Sequence, residues 1–575
     1  MKEKTSVEMP AIWGGIECTI NRIGDEYKDQ LEYSGHYDRR GDIEAISDLG
    51  IRNIRYPVLW EKHQPDKTTK INWQWTDRQL ATIHDSGMTP IVGLLHHGSG
   101  PVFTNLLDPE FPYLLSSYAY EVANRYPWIE SYTPVNEPLT TARFSGLYGL
   151  WYPHHKTELS FYRMLLNQLK GTVLCMEAIR SINPKARLIQ TEDLGKSHST
   201  QLLAYQANFE NDRRLLTFDM LTGRLQPGHP QYDYTLGCGI TEEEINFFQL
   251  HCVRPDILGL NYYVTSERWL DESFEKYDHQ THGGNGIHKY ADTEVVRANP
   301  LARSGFKVLA TEIWERYEIP IAVTESHLHC TREEQLRWFK EIWEDAVDLT
   351  KQGINIKGVT AWALLGSFDW DTLLTKTGTQ YESGVFDIKT FTGGLRPTAL
   401  IHLIKYLATG EGVLHPVLAE NGWWHDGPRL IKYNSRPIII IDNIGRTENK
   451  ENNSGKLSNA LRDACRRRRI SEIILSDFNE EDIDRINPWA IINCGNTNKK
   501  VGLLCFRKKL QYVSFCDEKM GELYLRVVIE RMPVTIHQTN KVLDLMIDGE
   551  EGCWIFSSDE MIFKTEGSSG KHHII

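Results

Sequence analysis

Positive charge is in short supply. The chain sets 64 Lys and Arg against 77 Asp and Glu, a formal net charge of −13, which gives no global attraction for nucleic acid or an anionic membrane. Long apolar runs are also missing. Met1 to Pro10 lacks the apolar core of a secretory signal, and no later stretch holds about 18 uncharged apolar residues in a row, so the expectation is a cytoplasmic protein. Ten cysteines lie scattered from Cys18 to Cys553 with no C-x-x-C pair and no Cys/His cluster at zinc spacing, which reads as structural thiols. No metal or cofactor is implied. Low complexity is absent as well: 41% hydrophobic and 25% charged residues, with 43 Gly and 23 Pro spread along the chain, exclude disordered and fibrous classes.

What is present is alternation. From Ala11 to about Gly410, short β-branched runs alternate with longer amphipathic stretches, the pattern of a parallel sheet covered by helices. The expected strands are Ala11–Gly15, Asn53–Tyr56, Thr89–Leu94, Ser131–Pro134, Arg187–Thr191, Ile257–Leu260, Ile321–Val323 and Lys357–Ala361. Eight strands predict an α/β fold, a (β/α)8 TIM barrel, which needs about 250 residues and here has room for long βα loops. Expected helices are Asp42–Leu49, Trp73–Ser86, Tyr113–Tyr126, Phe161–Ile182, Glu243–Leu250, Glu333–Lys351 and Ala399–Leu407. The polar stretch Thr265–Ser304 reads as a loop, either a partial cover over a pocket or a solvated excursion. Fourteen of the sixteen Trp lie at or before Trp424, which marks a boundary: residues 1–425 for the barrel and 426–575 for a second, smaller domain.

Two carboxyls carry the chemistry. The run Tyr132-Thr133-Pro134-Val135 ends in Asn136-Glu137-Pro138, and Ile321-Ala322-Val323-Thr324 ends in Glu325, so each Glu follows an apolar run at the carboxyl end of a barrel strand, where catalytic residues sit. Strands four and seven face each other across a closed barrel, although 188 positions separate the two residues. A facing pair of this kind suits glycoside hydrolysis, one carboxyl protonating the leaving oxygen while the other attacks the anomeric carbon or activates water.

These motifs resemble those of family 1 glycoside hydrolases, the β-glucosidase family. Thr133 to Pro138 is similar to T-F-N-E-P with an extra Pro, and Val323 to Ser326 to I-T-E-N-G with Ser326-His327 in place of Asn-Gly. Asp256-Ile257-Leu258-Gly259-Leu260-Asn261-Tyr262-Tyr263 resembles D-F-L-G-x-N-Y-Y, and Trp362 through Trp370 resembles W-S-L-L-D-N-F-E-W. Asn53 through Trp60 resembles the segment bearing the family's buried Arg, and His96 the third-strand His; the likeness covers about residues 11 to 410. It implies Glu325 as nucleophile and Glu137 as acid/base. Arg55 and the Tyr263 hydroxyl are expected to stabilise the Glu325 carboxylate and lower its pKa, whereas burial and the nearby anion raise that of Glu137. Asn136 is the expected donor to the sugar 2-hydroxyl, with His96, Trp362 and Trp370 lining the substrate pocket.

Departures from the family cluster where sugar hydroxyls are read. Asn21 stands where the family has a Gln that grips the ring, with Glu17 as a substitute; the late Glu becomes Asp369, and the Trp after the third-strand His becomes His97. An unmade hydrogen bond in a closed pocket costs about 1–3 kcal/mol, so the expected substrate is a β-glycoside whose sugar differs from plain glucose.

The C-terminal part resembles dTDP-4-dehydrorhamnose reductases. Arg436 to Gly445 starts like the first strand of a nucleotide-binding unit, Asn487 to Gly495 resembles P-D-x-V-I-N, and Val542 to Gly552 resembles L-D-L-L-I-D-G-E. Gly445 is followed by Arg446-Thr447-Glu448-Asn449-Lys450 without the further glycines a pyrophosphate needs, and no Tyr after residue 425 has a Lys four positions on. The expectation is a shortened, degenerate Rossmann-like reductase-type domain, with the Arg466–Arg469 run as a solvated face. The overall reading is a retaining β-glycosidase. Its rivals are a catalytically impaired sugar-binding protein and a sugar-nucleotide reductase. Expected partners are a small carbohydrate substrate, with no nucleic acid and no membrane; a homo-oligomer stays compatible with the sequence.

Overall fold

The computed structural model describes residues 8–389, 394–425, 436–442, 453–476, 478–494, 499–515, 527–529, 536–549, 552–557 and 560–563. These form two compact units, residues 1–327 with 341–384, and residues 328–340 with 385–575.

The first unit is built on eight parallel strands. β1 (Ala11–Gly15), β2 (Asn53–Pro57), β3 (Thr89–His96), β4 (Ser131–Asn136), β5 (Arg187–Asp193), β6 (Ile257–Asn261), β7 (Ile321–Ser326) and β8 (Ile356–Ala361) pair in sequence order, and β8 closes onto β1. Every expected strand is present, and six run further than their β-branched segments, β3 to His96, β4 to Asn136 and β7 to Ser326 among them. Polar side chains end the apolar pattern, yet the ladder continues because neighbouring strands satisfy the backbone: His96 still pairs with Asn136, and Glu325 with Asn261. These extra residues are the ones that reach the mouth. Below them Trp13, Ile91, Ile189, Ile257 and Ala322 pack as one apolar cluster across the barrel, a filled core rather than a pore.

Two features of this unit depart from the sequence reading. Residues 265–304 are not one loop: Glu267–Asp271, His282–Gly284 and Lys289–Glu294 join Lys196–Ser199 in a four-stranded sheet. Strands this short and polar carry no alternating signal, and the pairing partner Lys196–Ser199 is remote in sequence. A helix at Gly305–Tyr317 also follows, burying Phe306, Leu309, Ala310, Ile313 and Tyr317 at helical spacing. Among the described residues, no helix is long and apolar enough to cross a membrane.

The second unit holds a seven-stranded sheet. β9 (Ile438–Ile441), β10 (Glu472–Leu475), β11 (Ala490–Asn493), β12 (Gln511–Ser514), β13 (Val527–Ile529), β14 (Gly552–Ser557) and β15 (Glu560–Phe563) lie in the order β10-β9-β11-β12-β13-β14-β15, parallel except for the last pair. Four consecutive isoleucines make β9 fully buried, as a central parallel strand requires. The segment Gly445 to Lys450 lies outside the described residues. The Arg466–Arg469 run is not a uniform solvated face. Arg468 is buried, its Nε donating to Glu333 at 2.8 Å and a terminal nitrogen to Asp544 at 2.6 Å, while Arg466 pairs with Glu472 nearer the surface. A run of like charge reads as solvated only when its carboxylate partners are invisible, and Glu333 lies 135 residues away.

Candidate active site

Glu137 occupies the turn between β4 and the helix Pro138–Ala142. Its backbone is left-handed (φ 45°, ψ 60°), a conformation that non-glycine residues adopt at a cost. The turn is tied at both ends: the Glu137 N–H donates to the Thr191 carbonyl at 3.3 Å, and its carbonyl accepts from the Thr141 N–H at 2.9 Å. Glu325 lies near the end of β7, where the ladder to the neighbouring strands shifts register after Val323. Both carboxyls are buried. A short chain of bonds joins their surroundings: Asn261 donates from Nδ2 to Glu137 at 2.6 Å and accepts from the Thr324 hydroxyl at 2.6 Å, one residue before Glu325.

The two carboxyls have different neighbours. Arg55 donates from Nη1 to Glu325 at 2.8 Å and to the Thr324 carbonyl at 2.7 Å, and the Tyr263 hydroxyl donates to the other Glu325 oxygen. Burial nevertheless holds the Glu325 carboxyl above its ordinary range, with Arg55 and Tyr263 pulling against it; the sequence expectation of a net lowering is corrected by desolvation, which composition cannot show. Glu137 has no cation within ion-pairing distance among the described lysines and arginines. Burial first, then the negative charges of Glu325, Asp193 and Glu192, push it well up, against one donor, Asn261. A proton shared by this pair therefore rests on Glu137.

Around them the predicted residues converge. Asn136 accepts at Oδ1 from Arg55 (2.8 Å) and from the Thr191 hydroxyl (2.7 Å), which fixes its amide so that Nδ2 faces His96 at 3.2 Å. His96 stacks on Trp362 with ring centroids 5.6 Å apart and planes 9° apart, and Arg55 lies over the same indole at 4.8 Å. Gly15 allows this: a Cβ there would sit 2.5 Å from the Trp362 ring. Burial drives His96 well below, and His97 down to about 3, so both rings are neutral. His97 places Nε2 3.6 Å from Glu137, and Trp370 lies 5.6 Å from it, edge to face.

The divergent positions behave differently from one another. Glu17 is buried, one oxygen taking the Thr19 N–H at 2.9 Å and the Thr19 hydroxyl at 2.5 Å; burial first, then the charge of Glu325, raise it to about 7. Asn21 is fully buried on the strand Ile20–Ile23, and neither amide atom meets a hydrogen-bond partner within the protein. Asp369 spends its carboxylate on the chain itself, accepting from the N–H groups of Gly378 (3.0 Å), Thr379 (2.7 Å) and Gln380 (3.3 Å). Burial opposes its ionisation, but those backbone donors outweigh it and hold the carboxyl low.

Three residues of this site escaped the sequence reading. Asn261 lies inside the Asp256–Tyr263 motif, whose resemblance assigns it no role. Glu192 and Asp193 are the last two residues of β5, after Leu188-Ile189-Gln190-Thr191, and acidic residues at the carboxyl end of a barrel strand are a signal the sequence offers.

A model of the family described as "Glycosyl hydrolase family 1" matches residues 10–381. A "Beta-glucosidase A" of Thermotoga maritima is 25% identical over 154 residues, 25% of this chain and 34% of that protein. A "Bifunctional beta-D-glucosidase/beta-D-fucosidase" of Bifidobacterium breve is 22% identical over 410 residues, 63% of this chain and 85% of that one. Among solved structures, a β-glucosidase from Thermotoga maritima in complex with cyclophellitol superposes with a TM-score of 0.57 at 16% identity, covering 71% of this chain and 99% of that chain, a likeness of fold.

Proposed function

This chain belongs to glycosyl hydrolase family 1 and is a glycoside hydrolase, and from that premise we propose that it is a retaining β-glycosidase with Glu325 as nucleophile and Glu137 as acid/base. The observation that carries the reading is the unequal setting of the two carboxyls, Glu325 held by Arg55 and Tyr263, Glu137 facing only negative and neutral groups. In the first step a Glu325 oxygen bonds to the anomeric carbon while the glycosidic bond breaks and Glu137 gives its proton to the departing oxygen. In the second, Glu137 takes a proton from water, whose oxygen attacks the same carbon and releases the Glu325 carboxylate. Asn136, its carbonyl oxygen already taken by Arg55 and Thr191, holds Nδ2 toward His96 and His97 and turns it to the sugar 2-hydroxyl when substrate binds; His96 and Trp362 supply a hydrogen bond and a stacking face.

The glycone pocket differs from that of ordinary β-glucosidases. Glu17 brings a third carboxyl to the centre, Asn21 is fully enclosed with its amide unpartnered within the protein, and Asp369 serves the 378–380 backbone instead of a distal hydroxyl. A panel of aryl β-glycosides followed by proton NMR tests both halves of the reading. The best substrate is expected to carry a sugar other than glucose, and its free sugar to emerge first as the β-anomer before mutarotation. An α-anomer formed first would replace the covalent route by single displacement, and sugars that raise the melting temperature without any turnover would favour the impaired, sugar-binding reading.

We further propose that residues 426–575, which share the second compact unit with residues 328–340 and 385–425, are a shortened, degenerate Rossmann-like reductase-type domain. Its support is a parallel sheet whose strand order reverses direction between β9 and β11, together with the missing glycines and Tyr/Lys pair. NAD(P)H fluorescence is expected to stay unchanged on titration with the full chain; enhancement with saturation would restore the reductase reading.

A further inference from the structure

The acidic doublet that ends β5 has no part in the two chemical steps. Glu192 is 1% exposed, yet it accepts from five donors: the Leu139 N–H (2.9 Å), the Thr140 N–H (3.4 Å) and hydroxyl (3.1 Å), the Thr217 hydroxyl (2.7 Å) and the Asp193 N–H (3.3 Å). Leu139 and Thr140 carry the first N–H groups of the helix Pro138–Ala142, which no turn of that helix can satisfy. Glu137 is the residue before Pro138, so the carboxylate of Glu192 grips the chain immediately after the acid/base. Thr191, immediately before Glu192, grips it from the other side through the Glu137 N–H. A turn held in a left-handed conformation needs such restraint. Asp193 is held by the Ser266 hydroxyl at 2.7 Å, with Arg143 and Arg214 near enough to act on its charge.

Resting on the acid/base reading of Glu137, we propose that Glu192 is the positioning residue of the general acid, acting through the Glu137 turn, with Asp193 as its electrostatic partner. The groups that face Glu137 are Glu325 from β7, Glu192 and Asp193 from β5, Asn261 and Tyr263 from the end of β6, and neutral His97 from the end of β3. Two of its three acidic neighbours are thus the doublet; burial raises Glu192 to about 7 and raises Asp193 as well, so on the alkaline side, where they are ionised, they favour the protonated form that a general acid needs.

Glu192→Gln and Asp193→Asn in the full chain test this. For each, the alkaline limb of the kcat/KM profile is expected to move about one pH unit toward acid, because removing a nearby negative charge lets Glu137 lose its proton sooner. With Glu192→Gln, kcat on poorly activated alkyl or phenyl glycosides falls about 10- to 100-fold, while dinitrophenyl glycosides, which need little protonation, keep their rate. An unmoved limb with equal loss on every leaving group would make Glu192 merely structural and overturn the proposal. Asp193→Asn leaves the helix tie untouched, so it reports the limb even if Glu192→Gln does not fold. If the Glu137→Ala variant itself shows no dependence on leaving group, the acid/base reading fails; if it does and the limb still does not move, only the positioning role fails.

Discussion

Replacing Glu325 by glycine is expected to lower turnover by about 10⁵-fold, the scale on which loss of a covalent nucleophile acts, and added azide or formate restores a substantial part of it. The argument is geometric. Arg55 binds Glu325, the Thr324 carbonyl and Asn136 at once, so deleting the carboxylate leaves a guanidinium beside an empty volume of about the right size for a small anion. Azide in that volume reaches the anomeric carbon from the face Glu325 used, while Glu137 still protonates the leaving oxygen. The product is the α-glycosyl azide, identifiable by NMR. Recovery of activity without azide incorporation, or incorporation as the β-anomer, would remove Glu325 from the role of nucleophile.

Glu137→Ala should behave in the opposite manner. General acid catalysis is worth about 10²–10⁴-fold, and it matters in proportion to the basicity of the leaving group. Aryl glycosides with dinitrophenolate leaving groups are expected to form the glycosyl-enzyme nearly as fast as before, and alkyl glycosides to lose the full factor. Hydrolysis of that intermediate slows because no base activates water, so azide now accelerates release and gives the β-glycosyl azide, the product of two inversions. The pH dependence follows with a definite sign. Glu137 must be protonated, so activity in the unmodified chain is lost as pH rises through its elevated pKa; the variant loses that limb. Equal loss on all leaving groups would count against the assignment.

Much of this is readable in the residues alone. The strands were legible because β-branched and other apolar residues recur in short runs along the barrel, and the positions of Glu137 after a β-rich run and of Glu325 after an apolar one located both carboxyls. What sequence did not reveal was partnership. Nothing in the order of residues says that Glu192 binds the N–H groups of Leu139 and Thr140, that Asp369 folds back onto 378–380, or that Arg468 finds Glu333. Those links join segments tens to hundreds of positions apart and leave no periodic trace. The sheet of residues 267–294 stayed hidden for a related reason, since its strands become strands only by pairing with one another and with Lys196–Ser199. Desolvation was equally invisible: the net upward displacement of Glu325 arises because the exclusion of water outweighs the pull of Arg55 and Tyr263.

The Arg55 contacts carry a kinetic consequence. Three acceptors already occupy three of the five guanidinium N–H groups before any sugar arrives, so the Glu325 carboxylate that steadies the developing oxocarbenium charge is oriented in advance, and the step asks for little solvent rearrangement. The work of orienting it was done when the barrel closed. That shifts the burden from each turnover to a single folding event, and a chain organised in this manner trades part of its thermodynamic margin for speed.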